Sequence, residues 1–389
     1  MIRVAFFTQG GVARVGTTGY MPALAGVVSR LSKNFDITVY GTSTSEDDEG
    51  MFTCGNATVV LTRSRYSSPT LEKLWSLAQT FYQDHRKSPF DLLHGQWSLP
   101  GGFLAVVLGR LLGLPSIVSV MGADSASVHE INYGHLLRAR TRTPVLWTCR
   151  RATAVTALTS FQEQQLRHHR LKRTDVHIIP FGADTALFFP SSPKPDPPPF
   201  NLLHVANLTE VKDQSTLLRA FGIISSVLDS RLRIIGPDYL KGKIQRLAES
   251  LGLGQKVEFL GRIENGALPA HYSWAHLLLH TSRHEGQGIV VAEAAACGTV
   301  TCGTRVGLIA DLESRCTAAV DVGDYAGLAK KALDLLHNTE RRGQLEKNSL
   351  AWAAEHTIDW TVRQVEQLYR ELSTIRSAGG NGVREIKRH

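Results

Sequence analysis

The segment TSRHEGQGIVVAEAAACG, at Thr281–Gly298, contains two glutamates, Glu285 and Glu293, with seven residues between them. The turn Gly286–Gly288 follows the first glutamate, and the apolar, small-residue run after that turn is typical of a closely packed helix. The run LLLHTS immediately before the first glutamate predicts a buried strand. A strand, a tight glycine turn and a new helix make one βα unit, so this segment predicts an α/β fold with a parallel sheet.

The same segment has the functional groups of a binding site. Glycines allow backbone N–H groups to approach a ligand closely, and an exposed helix N-terminus favours an anion. A glutamate one turn into the helix, such as Glu293, can accept hydrogen bonds from both hydroxyls of a vicinal diol. We interpret the segment as a site for a ligand that carries both phosphates and hydroxyls, such as a nucleotide with a sugar. The alternative is a surface turn before a helix with two solvated glutamates.

Strand-like and helix-like segments alternate through the rest of the chain. Tyr20–Ser32 has the apolar spacing of a helix. Short β-branched or apolar runs predict ten strands, at Ile2–Thr8, Ile37–Gly41, Asp91–His94, Ser116–Val120, Ala152–Leu158, Val176–Ile179, Leu202–Val205, Leu232–Ile235, Val257–Leu260 and Leu277–His280. This alternation predicts βαβ units and parallel sheets that are covered on both faces.

A proline-rich segment divides this pattern into two halves. SSPKPDPPPF, at Ser191–Phe200, has five prolines in ten residues, which excludes a helix or a central strand and predicts a stiff linker. We expect a first domain at 1–190, the linker at 191–200 and a second domain at 201–355. A helix at 356–376 is expected to pack back on the first domain, before a flexible basic tail at 377–389. Two doubly wound halves place a ligand cleft between them, at the carboxyl ends of their strands.

Composition restricts the class of protein. The 389 residues carry a formal net charge of +8, which suits polyanionic ligands or an anionic membrane surface. No long basic block or stacking motif indicates nucleic acid. The five cysteines form no CxxC pair, and the apolar stretch Phe103–Val120 is interrupted by Arg110, Gly113 and Pro115. With no signal peptide recognised, we expect a cytoplasmic protein whose membrane contact, if any, is peripheral and confined to the inner face.

Several segments, taken in order, resemble one enzyme family. The chain is similar to the retaining glycosyltransferases of family 4, whose signature is a glutamate, seven residues and a second glutamate. The other matching segments are DLLHGQWSLPGG (Asp91–Gly102), HIIPFGADTALFFP (His177–Pro190), HVANLTEVKDQSTLLRAF (His204–Phe221) and GTVTCGTRVGLIADL (Gly298–Leu312). The resemblance covers almost the whole chain and implies a GT-B fold, in which two Rossmann-like doubly wound domains face each other across a cleft. We interpret His94 and Trp97 as structural.

The resemblance also implies roles for the central residues of the motifs. Glu293 would bind the ribose diol, and Glu285 would lie near the transferred sugar. Backbone N–H groups around Gly288 and Ile289 would face the sugar-phosphate side of the donor. Lys212 would neutralise the diphosphate leaving group, and a fixed ammonium there can stabilise the developing negative charge in place of a metal. The Lys212 segment has no acidic pair arranged as a metal site, so we expect no metal and no cofactor.

Further positions follow from the same resemblance. Gly10 and Gly11, in the glycine-rich start Thr8–Gly19, would lie where the first domain approaches the donor phosphates and the acceptor. Gln287 and Asn207 complete the expected donor-binding set. Asp124, which matches the aspartate of the family's HG-x-D loop, is assigned to catalysis.

The sequence departs from the family pattern in two places. Ala206 and Asn207 replace the glycine and arginine that precede the lysine, so one diphosphate cation is missing or comes from elsewhere, with Arg262 and Arg283 as candidates. Met121 replaces the loop histidine that lies over the transferred sugar, and a methionine cannot donate a hydrogen bond. These two changes leave the identity of the donor open.

The resulting functional hypothesis is a metal-independent, retaining glycosyltransferase. It would move a sugar from a UDP- or GDP-sugar to a hydroxyl of a glycan, a lipid-linked saccharide or a small metabolite. The first alternative is a nucleotide-sugar-binding homologue that has lost transfer activity and acts as a partner protein. A second alternative is a different enzyme on the same fold, such as a sugar-nucleotide epimerase.

Overall fold

Two separate sheets form the centre of the protein in the computed structural model, which describes residues 1–14, 20–43, 50–63 and 70–382. The first sheet has eight strands in the order β3-β4-β2-β1-β5-β6-β7-β8. Its strands are β1 (Arg3–Thr8), β2 (Asp36–Ser43), β3 (Gly50–Cys54), β4 (Ala57–Arg63), β5 (Leu92–Gln96), β6 (Ser116–Val120), β7 (Ala154–Ala157) and β8 (Val176–Ile178). Every neighbouring pair is parallel except the edge hairpin β3–β4.

The second sheet has six strands, all parallel, in the order β11-β10-β9-β12-β13-β14. They are β9 (Phe200–Val205), β10 (Ser230–Ile235), β11 (Val257–Gly261), β12 (Leu277–His280), β13 (Val300–Thr304) and β14 (Thr317–Val320). In both sheets the chain order runs outward in two directions from a central pair, β1–β5 and β9–β12. This arrangement creates a switch point at the carboxyl ends of the central strands, where such sheets bind ligands.

Helices cover both faces of each sheet. They are α1 (Pro22–Leu31), α2 (Thr70–Lys87), α3 (Phe103–Leu112), α4 (Ala139–Arg151), α5 (Ser160–His168), α6 (Gln214–Val227), α7 (Lys243–Ser250), α8 (Leu268–Trp274), α9 (Ile289–Ala296), α10 (Gly307–Asp311), α11 (Tyr325–His337), α12 (Thr339–Glu355) and α13 (Ile358–Gly382). Because both faces are covered, strands such as β6 and β13 are buried at every residue and consist of continuous apolar or small residues. No helix of the described residues is long and apolar enough to cross a membrane.

The chain passes between the two halves twice, and the two crossings lie side by side. The first follows β8 at Pro180–Ala183, and the second is the step from α12 into α13. The backbone N–H of Ile358 donates to the carbonyl of Ala183 at 3.0 Å, and Gly182 N–H donates to Thr361 Oγ1 at 2.9 Å. The proline-rich linker is held against the second half, since Lys194 Nζ donates to the carbonyl of Ala275 at 2.9 Å.

Helix α13 returns to the first half and completes its core. Ile358, Val362 and Tyr369 are buried in the same apolar cluster as strand β1 and helix α1. Tyr369 Oη lies 2.7 Å from Nδ1 of the buried His94, whose pKa burial lowers to about 3. His94 is therefore a neutral core residue in this structure. Because α13 joins both halves, the second crossing is rigidly attached to the first domain.

The end of α13 differs from the sequence-based expectation. The helix continues to Gly382, whereas we expected it to end at residue 376 and to give way to a flexible tail. Residues 377–382 contain no proline, so no backbone N–H of the helix is lost there and no ring obstructs it. The remainder of the expected tail, 383–389, lies outside the described residues.

Candidate functional site

Glu285 lies in the loop that joins β12 to α9, at the carboxyl end of a central strand. Its Oε1 accepts hydrogen bonds from Lys212 Nζ at 2.5 Å and Ser282 Oγ at 2.6 Å. His280 Nε2 lies 3.0 Å from the same oxygen. The Glu285 side chain is 11% exposed, so this ion pair is largely removed from water.

The charge state of Glu285 is decided by opposing effects. Burial raises the pKa of this carboxyl, but the charge of Lys212 and the hydrogen bonds from His280 and Lys212 outweigh burial and hold the pKa well below its usual range. Glu285 is therefore a fixed carboxylate at neutral pH. It holds the Lys212 ammonium at the carboxyl ends of the central strands of the second sheet. The resemblance implies a cation for the leaving group at this position.

Glu293 lies on α9 and has the opposite electrostatic environment. It is 8% exposed, and its Oε2 accepts a hydrogen bond from Tyr272 Oη at 2.7 Å. Burial raises the pKa of Glu293 to about 7, and the Tyr272 hydrogen bond offsets only part of that rise. Near neutral pH this carboxyl exists in both protonation states, so it can donate as well as accept a hydrogen bond.

The turn between the two glutamates is shaped by Gly288. Its φ of 78° lies in the left-handed region, which favours glycine, and it begins α9 without a side-chain cap. Ile289 follows as the first helical residue and packs against apolar clusters of both halves. Gln287 has a different partner from the one expected: its side chain accepts from Phe181 N–H at 2.8 Å and donates to Phe181 O at 2.7 Å. The resemblance assigns Gln287 to donor binding, and in this structure both polar atoms of its amide bond to Phe181 at the first interdomain crossing.

The Lys212 loop is held against the Glu285 loop by backbone and side-chain contacts. Thr281 Oγ1 donates to the Lys212 carbonyl at 2.9 Å, and Arg283 N–H donates to the Val211 carbonyl at 2.8 Å. Arg283 also pairs with Asp213, Nη2 to Oδ2 at 3.0 Å. Arg283, one of the two candidates for a second diphosphate cation, therefore lies beside Lys212.

Asn207 and Arg262 are both exposed, and both belong to the second half of the molecule. Asn207 lies two residues after the end of β9, and its backbone carbonyl accepts from Gln214 Nε2 at 3.1 Å. Its exposed side chain is neutral at a position where the resemblance implies a cation.

Asp124 does not have the surroundings of a catalytic residue. It is fully buried, and its oxygens accept from the N–H groups of Ser98 at 2.8 Å, Gly122 at 2.8 Å and Met121 at 3.1 Å. Ser98 Oγ donates as well, at 3.2 Å. With these donors the hydrogen-bonding capacity of the carboxylate is largely used within the protein. This environment favours a positioning role for Asp124, in which it folds the Met121 loop, over the catalytic role that the resemblance implies.

Gly10 and Gly11 end β1 in the left-handed region, with φ of 86° and 85°. A Cβ on Gly11 would lie 2.6 Å from Leu24 Cδ2 and 3.6 Å from Trp97 Cη2, so this position requires a glycine. The structure places both glycines at the carboxyl end of the central strand of the first sheet. Residues 15–19, which end the glycine-rich start Thr8–Gly19, lie outside the described part of the chain.

The two halves meet directly at the Glu285 loop. A Cβ on Gly286 would lie 1.9 Å from the Met121 carbonyl, which shows how closely the two backbones approach. Thr159 Oγ1 donates to the Gly286 carbonyl at 2.7 Å. On the same side Asp311 accepts from the N–H groups of Ser160 and Phe161 at 2.7 and 2.9 Å, at the first turn of α5. The structure is therefore a closed arrangement of the two domains.

Sequence reasoning missed several residues that define this site. His280 and Ser282 precede Glu285 by five and three residues, and their polar side chains at the end of a buried strand are a signal that could have identified them. Tyr272 gives no such signal, because it is 21 residues from Glu293 and lies on a different helix. Among the described residues, no group of three or more His, Cys, Asp or Glu side chains is arranged to hold a metal ion.

Comparison with known proteins agrees with this architecture. A relative from Bacillus anthracis, N-acetyl-alpha-D-glucosaminyl L-malate synthase, is 30% identical over 174 residues, which are 44% of this chain and 45% of that protein. The chain thus spans less than half the length of this relative. Sucrose-phosphate synthase from Thermosynechococcus elongatus has a similar structure, with a TM-score of 0.81 at 19% identity over 96% of this chain and 100% of that chain. Anabaena HepE, solved with UDP and glucose, gives 0.74 at 16% identity over 95% and 100%.

Two families match consecutive parts of the chain and together cover most of it. Residues 18–182 match the family described as glycosyl transferase 4-like domain. Residues 186–352 match the family described as glycosyl transferases group 1. The boundary between the two matches falls at the first interdomain crossing, and the similar structures share both sheets. The chain therefore belongs to the group 1 glycosyl transferases, with the GT-B fold of two Rossmann-like domains.

Proposed function

We propose that the protein transfers a sugar from a nucleoside diphosphate sugar, UDP- or GDP-linked, to an acceptor hydroxyl with retention of anomeric configuration. The observation that carries this proposal is the Lys212–Glu285 ion pair, held at 2.5 Å at the switch point of the second sheet and directly opposite the Met121 loop of the first domain. A fixed cation at the interdomain cleft is what the departure of a nucleoside diphosphate requires.

The donor would bind on the second domain. Glu293 is the candidate partner of the ribose diol, because a carboxyl with a pKa of about 7 can exchange hydrogen bonds with two hydroxyls in either protonation state. The backbone N–H groups at the Gly288 turn, which begins α9, would face the sugar-phosphate side. The solved Anabaena HepE structure with UDP and glucose supports a UDP-linked donor.

The chemical step would depend on position and charge. As the bond between the anomeric carbon and the leaving oxygen breaks, negative charge develops on the diphosphate, and Lys212 stabilises it without reorganisation. Glu285 keeps Lys212 in place and lies where the transferred sugar would be. The acceptor hydroxyl would attack from the face that the leaving group departs, which retains configuration, and its proton would pass to the departing phosphate oxygen. We include no metal ion and no cofactor in this proposal, so activity should survive treatment with EDTA.

The acceptor class is broader than the donor class. A glycan, a lipid-linked saccharide or a small metabolite each offers a suitable hydroxyl. The name of the B. anthracis relative specifies L-malate, a small hydroxy acid, and this supports a small or acidic acceptor. The excess of basic residues also fits peripheral contact with an anionic membrane, which vesicle flotation at low salt would detect.

Calorimetry with UDP and GDP, together with transfer and donor-hydrolysis assays, tests the proposal. We expect Glu293→Ala to weaken binding of the nucleoside diphosphate, and Glu285→Gln mainly to lower turnover. If both variants keep full binding and turnover, the site assignment is wrong.

A second candidate function is supported by Met121 and Asn207, which remove a hydrogen-bond donor and a cation that the family pattern has near the donor. In this alternative the protein binds nucleotide sugars and acts as a partner in an assembly. Nucleoside diphosphate binding without turnover for any donor and acceptor would favour it over transfer activity.

A further inference from the structure

A cavity of about 290 Å³ lies in the first domain, between the loop that follows β6 and the start of α4. The polar residues among those that line it include Tyr133, His135, Arg138, Arg140 and Thr141. None of the described lining residues is acidic. The cavity is therefore positively charged and has hydrogen-bond donors of several kinds.

Both arginines of the cavity wall are exposed. Arg138 Nη2 donates to the neutral Asn132 Oδ1 at 2.8 Å, and within the described ranges neither Arg138 nor Arg140 forms an ion pair with a carboxylate. Arg138 and Arg140 also flank the start of α4, whose first turn contains no acidic residue. Cations are unfavourable beside the positive end of a helix. An anion in the cavity would offset both sources of repulsion.

The cavity wall is ordered by backbone and side-chain hydrogen bonds. Val128 and Tyr133 exchange two backbone hydrogen bonds, of 2.8 and 3.0 Å, which close the loop into a short hairpin. His135 N–H donates to the Ala123 carbonyl at 2.7 Å, and Thr141 Oγ1 donates to the His135 carbonyl at 2.6 Å. In the described part of the chain His135 Nδ1 is buried without a hydrogen-bond partner. The wall is thus preorganised.

The cavity adjoins the proposed transfer site. Ala123, which lines it, follows the Met121–Gly122 segment whose backbone meets Gly286. Tyr133 lies close enough to Glu285 that, after burial, the charge of this carboxylate contributes to raising the pKa of the tyrosine to about 12. A molecule held in the cavity could therefore extend toward the sugar that Glu285 faces.

We propose that this cavity binds an anionic group of the acceptor, a phosphate or a carboxylate, through Arg138 and Arg140. The acceptor hydroxyl would then be presented to the donor sugar across the cleft. The identification of the ligand as an acceptor rests on the proposed function, whereas anion binding in the cavity does not depend on transfer activity.

Calorimetric titration with inorganic phosphate tests the site, in protein saturated with UDP so that the donor phosphate site is filled. We expect saturable binding that the double variant Arg138→Gln/Arg140→Gln weakens about tenfold or more, because each lost charge-assisted hydrogen bond is a large effect. Arg142→Gln, compared with the single variant Arg140→Gln, is the matched control, since each removes one charge from α4 and only Arg140 lines the cavity. Arg142→Gln reports the general loss of positive charge near the cavity, and it should weaken phosphate binding clearly less than Arg140→Gln does.

Two further arms distinguish the source of the anion. Competition by glycerol 3-phosphate that depends on Arg138 and Arg140 would identify a soluble acceptor. Binding to vesicles of phosphatidylcholine and phosphatidylglycerol that depends on the same arginines would identify a lipid headgroup. Phosphate binding that the double variant leaves unchanged, or that Arg142→Gln weakens as much as Arg140→Gln does, would overturn the proposal. The UDP affinity of every variant is measured in parallel. If the wild-type protein does not bind UDP, that result counts against the proposed function and not against the anion site.

Discussion

Replacing Lys212 with methionine should destabilise the protein by an amount that depends on pH. The substitution keeps most of the side-chain length but leaves Glu285, 11% exposed, without its cation. Removing one partner of a buried ion pair typically costs about 3–5 kcal/mol. We expect about 3 kcal/mol near neutral pH, at the lower end of that range, because Ser282 and His280 still contact Glu285 Oε1.

The pH dependence follows from the pKa of Glu285. In the wild type this pKa lies below its ordinary value of 4.5, so the ionised group adds stability that is present above pH 4.5 and is lost as the pH falls through the folded pKa. Without Lys212, burial becomes the dominant effect and raises the pKa above 4.5. The variant then loses stability as the pH rises. The difference between the two proteins should grow from about 1 kcal/mol near pH 4 to about 3 kcal/mol near pH 7.

Urea unfolding at both pH values, followed by circular dichroism, measures this difference. Lys243→Met is the matched control: Lys243 pairs with Glu210 at 2.9 Å, but both side chains are more than half exposed, at 55% and 56%. An exposed pair contributes about 0–1 kcal/mol, so the control should change stability little and without the same pH dependence. Equal losses for the two variants, or a loss at Lys212 that is the same at both pH values, would refute the reasoning.

Three further predictions concern other parts of the site. Burial raises the folded pKa of Glu293 to about 7, so its contribution to stability is complete below pH 4.5 and is lost as the pH rises through 7. Glu293→Gln should remove this decline in stability. Calorimetry should also show that the UDP affinity of this variant does not vary with pH around neutrality. Asp124→Asn should cost about 2–3 kcal/mol in thermal unfolding, because a buried acceptor of several N–H groups loses its charge; unchanged stability with lost turnover would return Asp124 to a catalytic role. Asp311→Ala should favour an open arrangement of the domains, visible as a larger radius of gyration in small-angle scattering, whereas Asp321→Ala, in an exposed pair on the same domain, should not.

The fold could be predicted from the sequence because its strands are buried on both faces. Ser116–Val120 and Leu277–His280 agree with β6 and β12 at both ends, and their continuous apolar or small residues are the signal of a central parallel strand. Four strands were not predicted: β13 and β14, whose short runs contain threonine, cysteine, glycine and alanine besides valine, and the hairpin β3–β4. β3 (GMFTC) is an edge strand with exposed and partly exposed residues, so it has no comparable apolar pattern.

The site could be predicted only where the sequence places its residues close together. Glu285 and Glu293 are eight positions apart on one βα unit. Lys212 was found because its segment, which follows the central strand β9, matches the family's pattern. The burial of Asp124 could not be predicted, because a motif gives a residue's identity and not its burial. The partners of Glu293 and Gln287, Tyr272 and Phe181, come from other elements, and only tertiary packing brings them into contact.

The contacts around the Glu285 loop connect ligand binding with domain arrangement. Gly286 meets the Met121 carbonyl, and Gln287 is held by Phe181 at the first interdomain crossing. A donor that binds beside Glu285 therefore contacts a segment whose position is already fixed by both domains. Any ligand that prefers this closed arrangement must shift the population toward it by its differential affinity. The same loop then contacts both the donor and the first domain. Substitutions at Gly286 and Gln287 should therefore affect donor affinity, even though these positions face the other domain.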